Sequence, residues 1–508
     1  MPERAPSLQN PQVEAFFSAM EAQFLDLTPA DIVLHPIATE YRRDQVDLTT
    51  RLTTGVELRA PIVSAAMDTV TMADMAIALA KEGGIGIIHG NLTAEEKRDE
   101  ARRVKLHLNG IIEKPICAKT GQTIHSLMEE CAQRGFDFRT FPVVDPDGKL
   151  QGVLTNHNLR FWNGSGEQTV SELMTDAATV VSAPAGTDIA TAYDQMYGQQ
   201  LNTLPLVGGA GEVAGLYIWS DVKRIHTGNP ESYALDHGGH LLVGVAINTR
   251  PEVAASHVEA TQDYCDVYVI DSSHGNSKDA LDTLLHLRKT YGDGLQIIAG
   301  NIVDPQSAIL LADAGASAIK VGIGGGAICT TRDQTGNGMG QLSAVYSVAK
   351  ALRDNEFDIP VITDGGIVHP GDAAKLLAVG AEPVMMGSAL AGTDEAPGDL
   401  ITNKAGQPTK IYRGMGSLAA QESGREARGY SSGQGDVFSE GVVAQVPYKG
   451  AVGRVLFDFK AGIRNAVANG NADTLSTFRQ NARIGRISSA GALKGSPHIG
   501  ETGEIISN

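Results

Sequence analysis

The stretch QIIAGNIVDPQSAILLADAGASAIKVGIGGG (296–326) contains two short apolar runs that are separated by one helical pattern. QIIAGNI and AIKVGIGGG have the length and the nearly continuous apolar character of strands buried on both faces, as in parallel sheets. PQSAILLADAG, which lies between them, is typical of a helix. The stretch therefore predicts a strand–helix–strand unit of an α/β fold.

The same pattern recurs along the rest of the chain. Helical patterns such as ADMAIALAKEG and SKDALDTLLHLRKTYG alternate with six further apolar runs, which end in glycine or polar residues: APIVSAAMD (60–68), GGIGIIHGN (83–91), LLVGVAI (241–247), VYVIDSSHG (267–275), IPVITDGGI (359–367) and PVMMGSAL (383–390). Eight strands alternating with helices predict a (β/α)₈ TIM barrel, with its chemistry at the C-terminal strand ends. A doubly wound sheet is the alternative.

A long interval separates the second predicted strand from the third. Within it, TFPVVDPDGKLQGVL (140–154) aligns with TLPLVGGAGEVAGLY (203–217), and each copy reads as strand, glycine turn, strand. A duplicated unit in so long an interval predicts a separate inserted module, which favours regulation or ligand sensing over a packing or assembly role. The predicted boundaries are 1–107 for the first part of the barrel, 108–230 for the insert and 231–508 for the rest of the barrel.

Composition excludes several classes of protein. The chain has 508 residues, of which 42% are hydrophobic and 20% charged, so it is not mostly disordered. Its net charge of −18 argues against nucleic-acid binding, although a local basic pocket for a small anion stays open. Four cysteines without zinc-ligand spacing are typical of a cytoplasmic protein with reduced thiols. Neither a secretory signal nor a membrane-spanning stretch is found, so we expect no membrane partner.

The segment VGIGGGAICTTRDQTGNGMGQ (321–341) carries the strongest chemical signal. Its glycines allow the backbone to approach a ligand closely and leave N–H and C=O groups free. Cys329 follows these glycines at the predicted top of strand six, where a thiolate is a strong nucleophile. A buried structural cysteine is the alternative, but the position at the catalytic face of a barrel favours function. Thr330, Thr331 and Arg332 add hydrogen-bond donors beside it.

Two later loops have the features of an anion site. DGG begins at Asp364 after strand seven, and GS (Gly387, Ser388) follows strand eight, where barrels commonly bind phosphate through backbone N–H groups. Asp364 suits a ribose diol, because a carboxylate accepts from two hydroxyls. Asp271 and Asn301 are predicted at the same rim, and an ordinary turn or cap role is the alternative for each. The polar stretch 410–450 predicts a lid, with a disordered surface loop as the alternative.

Taken together, these residues resemble the IMP dehydrogenase/GMP reductase family, and within it the IMP dehydrogenases. The resemblance covers the chain from about residue 27 to nearly its C-terminus. Each motif is weak alone, but the set and its order are specific: SAAMDTVT (64–71), GGIGIIHGN (83–91), DSSHGNS (271–277), GIGGGAICTTR (322–332), DGGI (364–367), MMGS (385–388), YRGMGS (412–417) and SEGV (439–442).

The resemblance implies NAD-dependent oxidation of inosine monophosphate (IMP) to xanthosine monophosphate, the committed step of guanine nucleotide synthesis. Cys329 would attack C2 of the hypoxanthine ring, hydride would leave to NAD⁺, and water would hydrolyse the thioimidate on Cys329. Splitting one difficult step into two is covalent catalysis. The implied catalytic residues are Cys329, Thr331, Arg428 and Tyr430.

The resemblance also assigns binding roles. Asp364 would hold the ribose, and the phosphate would contact Gly366, Gly387, Ser388 and Tyr412. Gly414 would belong to the substrate site, and backbone groups of Met415 and Gly416 with the carboxylate of Glu440 would read the purine edge. NAD would lie against Asp271, Asn301 and Gly322. A potassium ion would take carbonyl oxygens from Gly324, Gly326 and Cys329.

For the insert, the resemblance implies a pair of CBS modules, a Bateman domain, that binds adenine or guanine nucleotides. A cytoplasmic homotetramer is the implied assembly. Two other functions stay open. A GMP reductase would share the barrel and the cysteine but use NADPH and release ammonia, and an inactive barrel would serve only to sense nucleotides.

Two departures from the family concern the glycine loop. Residue 327 is alanine where the family usually has a serine that bonds the phosphate. Loss of a hydrogen bond to a charged group costs about 1.5–3 kcal/mol unless water replaces it. Residue 325 is glycine where bacterial members often have proline, which predicts a looser loop.

A third departure concerns the family's water-activating Arg-Tyr pair. The two residues are adjacent in the family, whereas Gly429 separates Arg428 from Tyr430 here. Arg428 is the predicted base and Arg425 is the alternative. Because arginine rarely loses its proton, this role depends on the resemblance alone.

Overall fold

A computed structural model of the chain describes residues 10–488, apart from residues 24, 109, 134–139, 163 and 425–438, together with residue 491. The chain divides into two compact units. One combines Met1–Lys105 with Pro230–Asn508, and the other is Leu106–Asn229. No helix in the described part is long and apolar enough to cross a bilayer.

The larger unit contains a closed barrel of eight parallel strands, which confirms the predicted (β/α)₈ fold. Strand eight pairs with strand one, with Val384 opposite Ile62, so the sheet has no free edge and the doubly wound alternative is wrong. The strands are β1 (Ile62–Ser64), β2 (Ile85–Ile88), β3 (Val243–Ile247), β4 (Val267–Asp271), β5 (Ile297–Ile302), β6 (Ala318–Val321), β7 (Val361–Asp364) and β8 (Val384–Met386).

Each strand is followed in the chain by a long helix outside the barrel, after a shorter helix in the case of β6 and β8. In the longest of them, Leu456, Phe459, Ile463 and Val467 recur at helical spacing and are buried, so one face packs inward. The helices are α1 (Ala73–Lys81), α2 (Ala94–Leu106), α3 (Pro251–Thr261), α4 (Lys278–Tyr291), α5 (Pro305–Asp313), α6 (Gln341–Asp354), α7 (Pro370–Ala378) and α8 (Val452–Asn469).

Strand alternation fills the barrel and positions its polar rim. Val269, Ala318 and Ile362 belong to the buried apolar cluster inside the barrel. Side chains two positions further along a strand point to the same face. Asp271, Lys320 and Asp364 therefore lie one layer above this cluster, at the C-terminal ends of their strands.

Smaller elements complete the larger unit. A hairpin of Thr50–Arg51 and Glu57–Leu58 contributes Leu52 and Leu58 to the barrel core. The remaining elements are the helices Pro11–Glu21, Thr331–Thr335, Leu418–Ser423 and Leu475–Asn481, the 3₁₀ turns Pro29–Asp31, Arg43–Gln45 and Pro230–Ser232, the antiparallel pair Ile32–Leu34 and Ile484–Arg486, and a sheet of Ile401–Thr402, Pro408–Arg413 and Val443–Pro447.

The smaller unit contains two four-stranded sheets. The first has the order Thr175–Asp176, Leu150–Leu154, Phe141–Val144, Ala118–Lys119, and the second has the order Ala183–Pro184, Thr203–Val207, Val213–Ile218, Ile111–Ile112. The helices of this unit are Ile124–Gln133, Asn156–Leu159, Val170–Leu173, Ile189–Gln199 and Trp219–His226.

The sequence repeat in this unit is also a repeat in structure. The central hairpin of each sheet has a register shift at the same place, after Val143 in the first and after Leu206 in the second. The two hairpins contact one another reciprocally, because Leu150 N–H donates to the Gly211 carbonyl (3.0 Å) and Val213 N–H donates to the Gly148 carbonyl (3.1 Å). The two copies therefore form one approximately twofold body.

Candidate active site

A cavity of about 440 Å³ lies at the C-terminal ends of the barrel strands, within the size range of small-molecule sites. Thr331 does not line the cavity, but its hydroxyl contacts the Cys329 side chain. Every other predicted site residue in the described part of the chain lines this cavity: Asp271, Asn301, Gly322, Gly324, Gly326, Cys329, Asp364, Gly366, Gly387, Ser388, Tyr412, Gly414, Met415, Gly416 and Glu440.

Cys329 lies in the glycine loop after β6, just before the short helix Thr331–Thr335. Its backbone N–H donates to the Gly326 carbonyl (3.2 Å), and its side chain is partly buried. Gly324 has a φ of +76°, and a side chain there would clash with Arg332. The tight turn that brings Cys329 to the cavity therefore requires glycine at this position.

Cys329, Thr331 and Glu440 form a chain of hydrogen bonds. The Thr331 hydroxyl donates to Oε2 of Glu440 (2.7 Å), and Sγ of Cys329 lies 3.1 Å from Oγ1 of Thr331. A hydroxyl has a single hydrogen, so the Thr331 oxygen accepts from the Cys329 thiol. This arrangement provides a path for the thiol proton towards a carboxylate.

Backbone pairing holds Glu440 in this place. Thr330 N–H donates to the Glu440 carbonyl (3.0 Å), and Val442 N–H donates to the Ile328 carbonyl (3.1 Å). On its other side, Glu440 N–H donates to the Gly416 carbonyl (3.0 Å). The segment around Glu440 therefore lies between the loop that contains Cys329 and the loop of Met415 and Gly416, which is predicted to bind the purine edge.

Lys320 is a residue of the site that the sequence analysis missed. Its side chain is 3% exposed, and Nζ lies 3.3 Å from Oδ1 of Asp271 and 3.3 Å from Oδ2 of Asp364. Burial alone would lower the pKa of Lys320, but Asp364 and Asp271 raise it above its usual value. Asn301 Nδ2 donates to Asp364 (2.9 Å) and to the Gly322 carbonyl (2.7 Å). A lysine within the otherwise apolar AIKV run was the available signal.

The predicted phosphate end contains mostly backbone. Gly366, with a φ of +73°, follows β7, and Gly387 and Ser388 follow β8. A Cβ atom at Gly387 would lie 2.9 Å from the Tyr412 hydroxyl, so glycine leaves room for that side chain. Burial, aided by the charge of Asp364, raises the pKa of Tyr412. Its hydroxyl therefore stays protonated and can donate to an anion.

An ion pair anchors the loop that contains Gly414, Met415 and Gly416. Arg413 donates through Nη2 to Oδ2 of Asp68 (2.7 Å) and through Nε to Oδ1 (3.0 Å). The Asp68 side chain is 6% exposed, so the pair is largely shielded from water. This ion pair, also missed by the sequence analysis, fixes the start of the loop against the segment that follows β1.

The glycine loop has the donor chemistry of a potassium site. Among the described residues, no group of three or more histidine, cysteine, aspartate and glutamate side chains is arranged to bind a metal ion. Backbone carbonyls are the oxygen ligands that potassium sites use. The Gly326 carbonyl accepts one hydrogen bond, from Cys329, and a carbonyl has two lone pairs. The Gly326 carbonyl therefore keeps a lone pair for the predicted ion, which Gly324 and Cys329 of the same loop would also hold.

The cavity continues beyond Cys329 towards the ends of β3 and β4. Its lining there is polar and contains Asn248, Thr249, Ser272 and Ser273 besides Asp271. A carboxylate with neighbouring hydroxyl and amide groups can accept from and donate to a second ribose. This lining fits the predicted NAD site.

The predicted lid lies partly outside the described residues. Arg428 and Tyr430, the predicted water-activating pair, and the alternative Arg425 all fall within 425–438, which the structure does not describe. The ends of the stretch are described and form the helix Leu418–Ser423 and the strand Val443–Pro447.

The family model and the related proteins that match this chain belong to the same family. The family model of the IMP dehydrogenase/GMP reductase domain matches residues 26–498. An inosine-5′-monophosphate dehydrogenase of Halalkalibacterium halodurans is 38% identical over 475 residues, which cover 93% of this chain and 95% of that protein. The corresponding enzyme of Nitrosopumilus maritimus is 38% identical over 478 residues, which cover 93% of this chain and 98% of that protein.

Solved structures of a related enzyme have the same fold. GMP reductase C318A from Trypanosoma brucei in complex with guanosine 5′-monophosphate has a TM-score of 0.83 and 32% identity, and the match covers 94% of this chain and 99% of that chain. The same reductase in complex with guanosine 5′-triphosphate has a TM-score of 0.73 and 29% identity, and the match covers 92% of this chain and 100% of that chain.

Proposed function

The chain belongs to the IMP dehydrogenase/GMP reductase family, and we propose that it is an NAD-dependent oxidoreductase that converts IMP to xanthosine monophosphate. The observation that carries this proposal is the hydrogen-bonded chain of Cys329, Thr331 and Glu440 at the edge of the cavity. It supports a nucleophilic cysteine whose proton has a route to a carboxylate.

In the proposed reaction, the Cys329 thiol transfers its proton through Thr331 to Glu440, and the thiolate bonds to C2 of the purine. NAD⁺ supplies the hydride acceptor when it is bound. Loss of hydride from C2 leaves a thioimidate on Cys329, and addition of water at C2 with departure of Cys329 releases xanthosine monophosphate. Overall, IMP, NAD⁺ and water give xanthosine monophosphate, NADH and a proton.

The binding roles follow the layout of the cavity. Asp364 holds the substrate ribose, and Gly366, Gly387, Ser388 and Tyr412 hold its phosphate. Gly414, Met415 and Gly416 hold the purine edge together with Glu440. Asp271, Asn301 and Gly322 lie on the side of NAD. Carbonyls of Gly324, Gly326 and Cys329 hold potassium.

Hydrolysis and regulation are further parts of the proposal. Arg428 with Tyr430 activates the water in spite of the intervening Gly429, and Arg425 is the alternative. The duplicated body in Leu106–Asn229 is a CBS pair that binds an adenine or guanine nucleotide, and the protein is a homotetramer. The two structurally equivalent hairpins of that body support the first of these statements.

GMP reductase is the second candidate function. It is favoured by the high structural similarity to the Trypanosoma brucei reductase and by the separated Arg428 and Tyr430. In that reaction Cys329 would displace ammonia from C2, and NADPH would supply the hydride. Both activities need Cys329, so only the substrates distinguish them.

The test is absorbance at 340 nm with IMP and NAD⁺, in potassium and in sodium buffer, for the unaltered protein and Cys329→Ala. A steady rise that needs Cys329 and is faster in potassium is the expected result. One stoichiometric burst would mean that hydride transfer occurs without hydrolysis. A fall with guanosine monophosphate and NADPH, but no rise with IMP, would identify the reductase. Equal signals from Cys329→Ala would contradict both functions.

A further inference from the structure

The described lining of the cavity is electrostatically unfavourable for a phosphate. Its charged side chains are three carboxylates and one lysine: Asp271, Asp364, Glu440 and Lys320. The Lys320 ammonium is directed at Asp271 and Asp364, 3.3 Å from each. A phosphate monoester carries about −1.5 to −2 charges at pH 7. Backbone N–H groups that bind the phosphate would therefore have to overcome its repulsion by the carboxylates of the lining.

A second lysine lies directly behind the phosphate end. Lys449 Nζ donates to the Ser388 carbonyl (2.7 Å) and to the Ala389 carbonyl (2.9 Å). Its own backbone N–H donates to the Gly392 carbonyl (2.9 Å). The ammonium is therefore fixed to the turn after β8 that contains Gly387 and Ser388, and it does not line the cavity itself.

We infer that Lys449 is a positioning residue for the substrate phosphate, an inference that rests on the proposed nucleotide substrate. The ammonium binds the carbonyl side of the turn, which orients the backbone N–H of Gly387 and the hydroxyl of Ser388 towards the cavity. It also places a positive charge behind the phosphate end, whereas Lys320, the lysine of the described lining, is already paired with Asp271 and Asp364. Because Ala327 offers no hydroxyl, phosphate binding depends more strongly on this turn.

Lys410 offers a matched control. It donates to the Asp394 carbonyl (3.2 Å) and the Ala396 carbonyl (2.6 Å), so it also ties down the segment after β8 through two carbonyls. It is buried, and neither it nor its acceptors line the cavity. Removing Lys410 should therefore loosen the same segment without removing charge from the phosphate end.

The experiment compares the full-length protein with Lys449→Met, Lys449→Arg and Lys410→Met. Alkylation of Cys329 by iodoacetamide is followed by peptide mass spectrometry while IMP, guanosine monophosphate or inosine is titrated as a protecting ligand. Tm is measured for each variant. This readout needs neither NAD nor turnover, and inosine differs from IMP only in lacking the phosphate.

For Lys449→Met we expect the half-protecting concentration of both nucleotides to rise about tenfold, equivalent to about 1.4 kcal/mol. That of inosine should stay within about twofold. Lys449→Arg should recover most of the nucleotide affinity, because it restores a charged donor. Lys410→Met should lower Tm and leave the ratio of IMP to inosine protection unchanged.

Equal weakening of IMP and inosine in Lys449→Met would overturn the inference, because it would indicate a general structural role. The same selective loss in Lys410→Met would also overturn it. Either result leaves the proposed function standing if the unaltered protein reduces NAD⁺ with IMP. Protection of the unaltered protein by inosine as strongly as by both nucleotides would contradict a phosphate site, and with it the inference.

Discussion

At one end of the cavity, Lys320 joins the carboxylates of Asp271 and Asp364 beneath the predicted ribose sites. At the other end, the predicted phosphate site consists mainly of the turns that contain Gly366 and Gly387. The ribose end is thus built from two carboxylates around one buried lysine, and the phosphate end mainly from backbone. Removing the lysine of such a network leaves its carboxylates without a cation, whereas a backbone site loses one contact at a time.

The two ends of the cavity should therefore differ in how well they tolerate amino-acid substitutions. Lys320 contacts both carboxylates at the ribose end, so its replacement leaves two like charges without the cation between them. At the phosphate end, a side chain such as that at residue 327 can lose its hydroxyl while the backbone donors stay in place. The departures from the family that we noted in the glycine loop fall near this more tolerant end.

Replacing Lys320 tests the ribose end and should have the largest effect. In Lys320→Met, Asp271 and Asp364 would lose the buried ammonium that lies 3.3 Å from each, so the two like charges would repel and no longer be held in place. We expect kcat/KM for IMP to fall by at least about a hundredfold. Steady-state kinetics at 340 nm measures it.

Lys350→Met is the control, because Lys350 pairs with Asp354 on the exposed surface of α6. Its kcat/KM should stay within about twofold of the unaltered protein, as surface ion pairs contribute little. A loss of less than about tenfold in Lys320→Met, with the fold intact by circular dichroism, would contradict the proposed difference between the two ends.

Thr331→Val should have the second-largest effect, because it interrupts the chain from Cys329 to Glu440 without adding charge. Loss of one positioned proton-transfer group costs about a hundredfold or more in kcat. Thr335→Val, one helical turn away, is the control, since its hydroxyl donates to the Thr331 carbonyl (2.7 Å) and accepts from the Asn337 N–H (3.1 Å), outside the chain from Cys329 to Glu440. Equal kcat values for the two variants would remove Thr331 from the mechanism.

Ala327→Ser should have the smallest effect, and it should be a gain. A new hydrogen bond to a charged group contributes about 1.5–3 kcal/mol at most, so KM for IMP should fall by about tenfold. Inosine, which has no phosphate, provides the control and should bind equally to both proteins. A hundredfold change in kcat would contradict this, because it would mean that one substitution at the phosphate end disrupts the whole site, as we expect at the ribose end.

The barrel could be predicted from the sequence because strands buried on both faces leave continuous apolar runs. β4, β5 and β7 each lie within such a run, and Asp271, Asn301 and Asp364 near their ends were identified as a common rim. Motifs after these strands also identified the cavity lining, from Cys329 to Glu440. Most of this information is local in the chain.

The connections between these residues could not be predicted in the same way. Lys320 lies 44 positions from Asp364 and 49 from Asp271, and the three meet only because barrel closure and strand parity turn them inward. Thr331 and Glu440 are 109 positions apart. Pairing of the 440–442 segment with the cysteine loop depends on where the chain returns after β8, which no local pattern encodes.

The strand order in Leu106–Asn229 bears on how such a body entered the barrel. Its first strand, Ile111–Ile112, pairs antiparallel with Val213–Ile218, the last strand. The helix Trp219–His226 follows that strand, and its Arg224 donates through Nη2 to the His107 carbonyl (3.2 Å), so the two ends of this body lie close together. Two chain ends that lie this close can be joined to a loop of a host domain in place of a short loop. A lineage could gain or lose the whole body in a single genetic event, without redesigning the enzyme that hosts it.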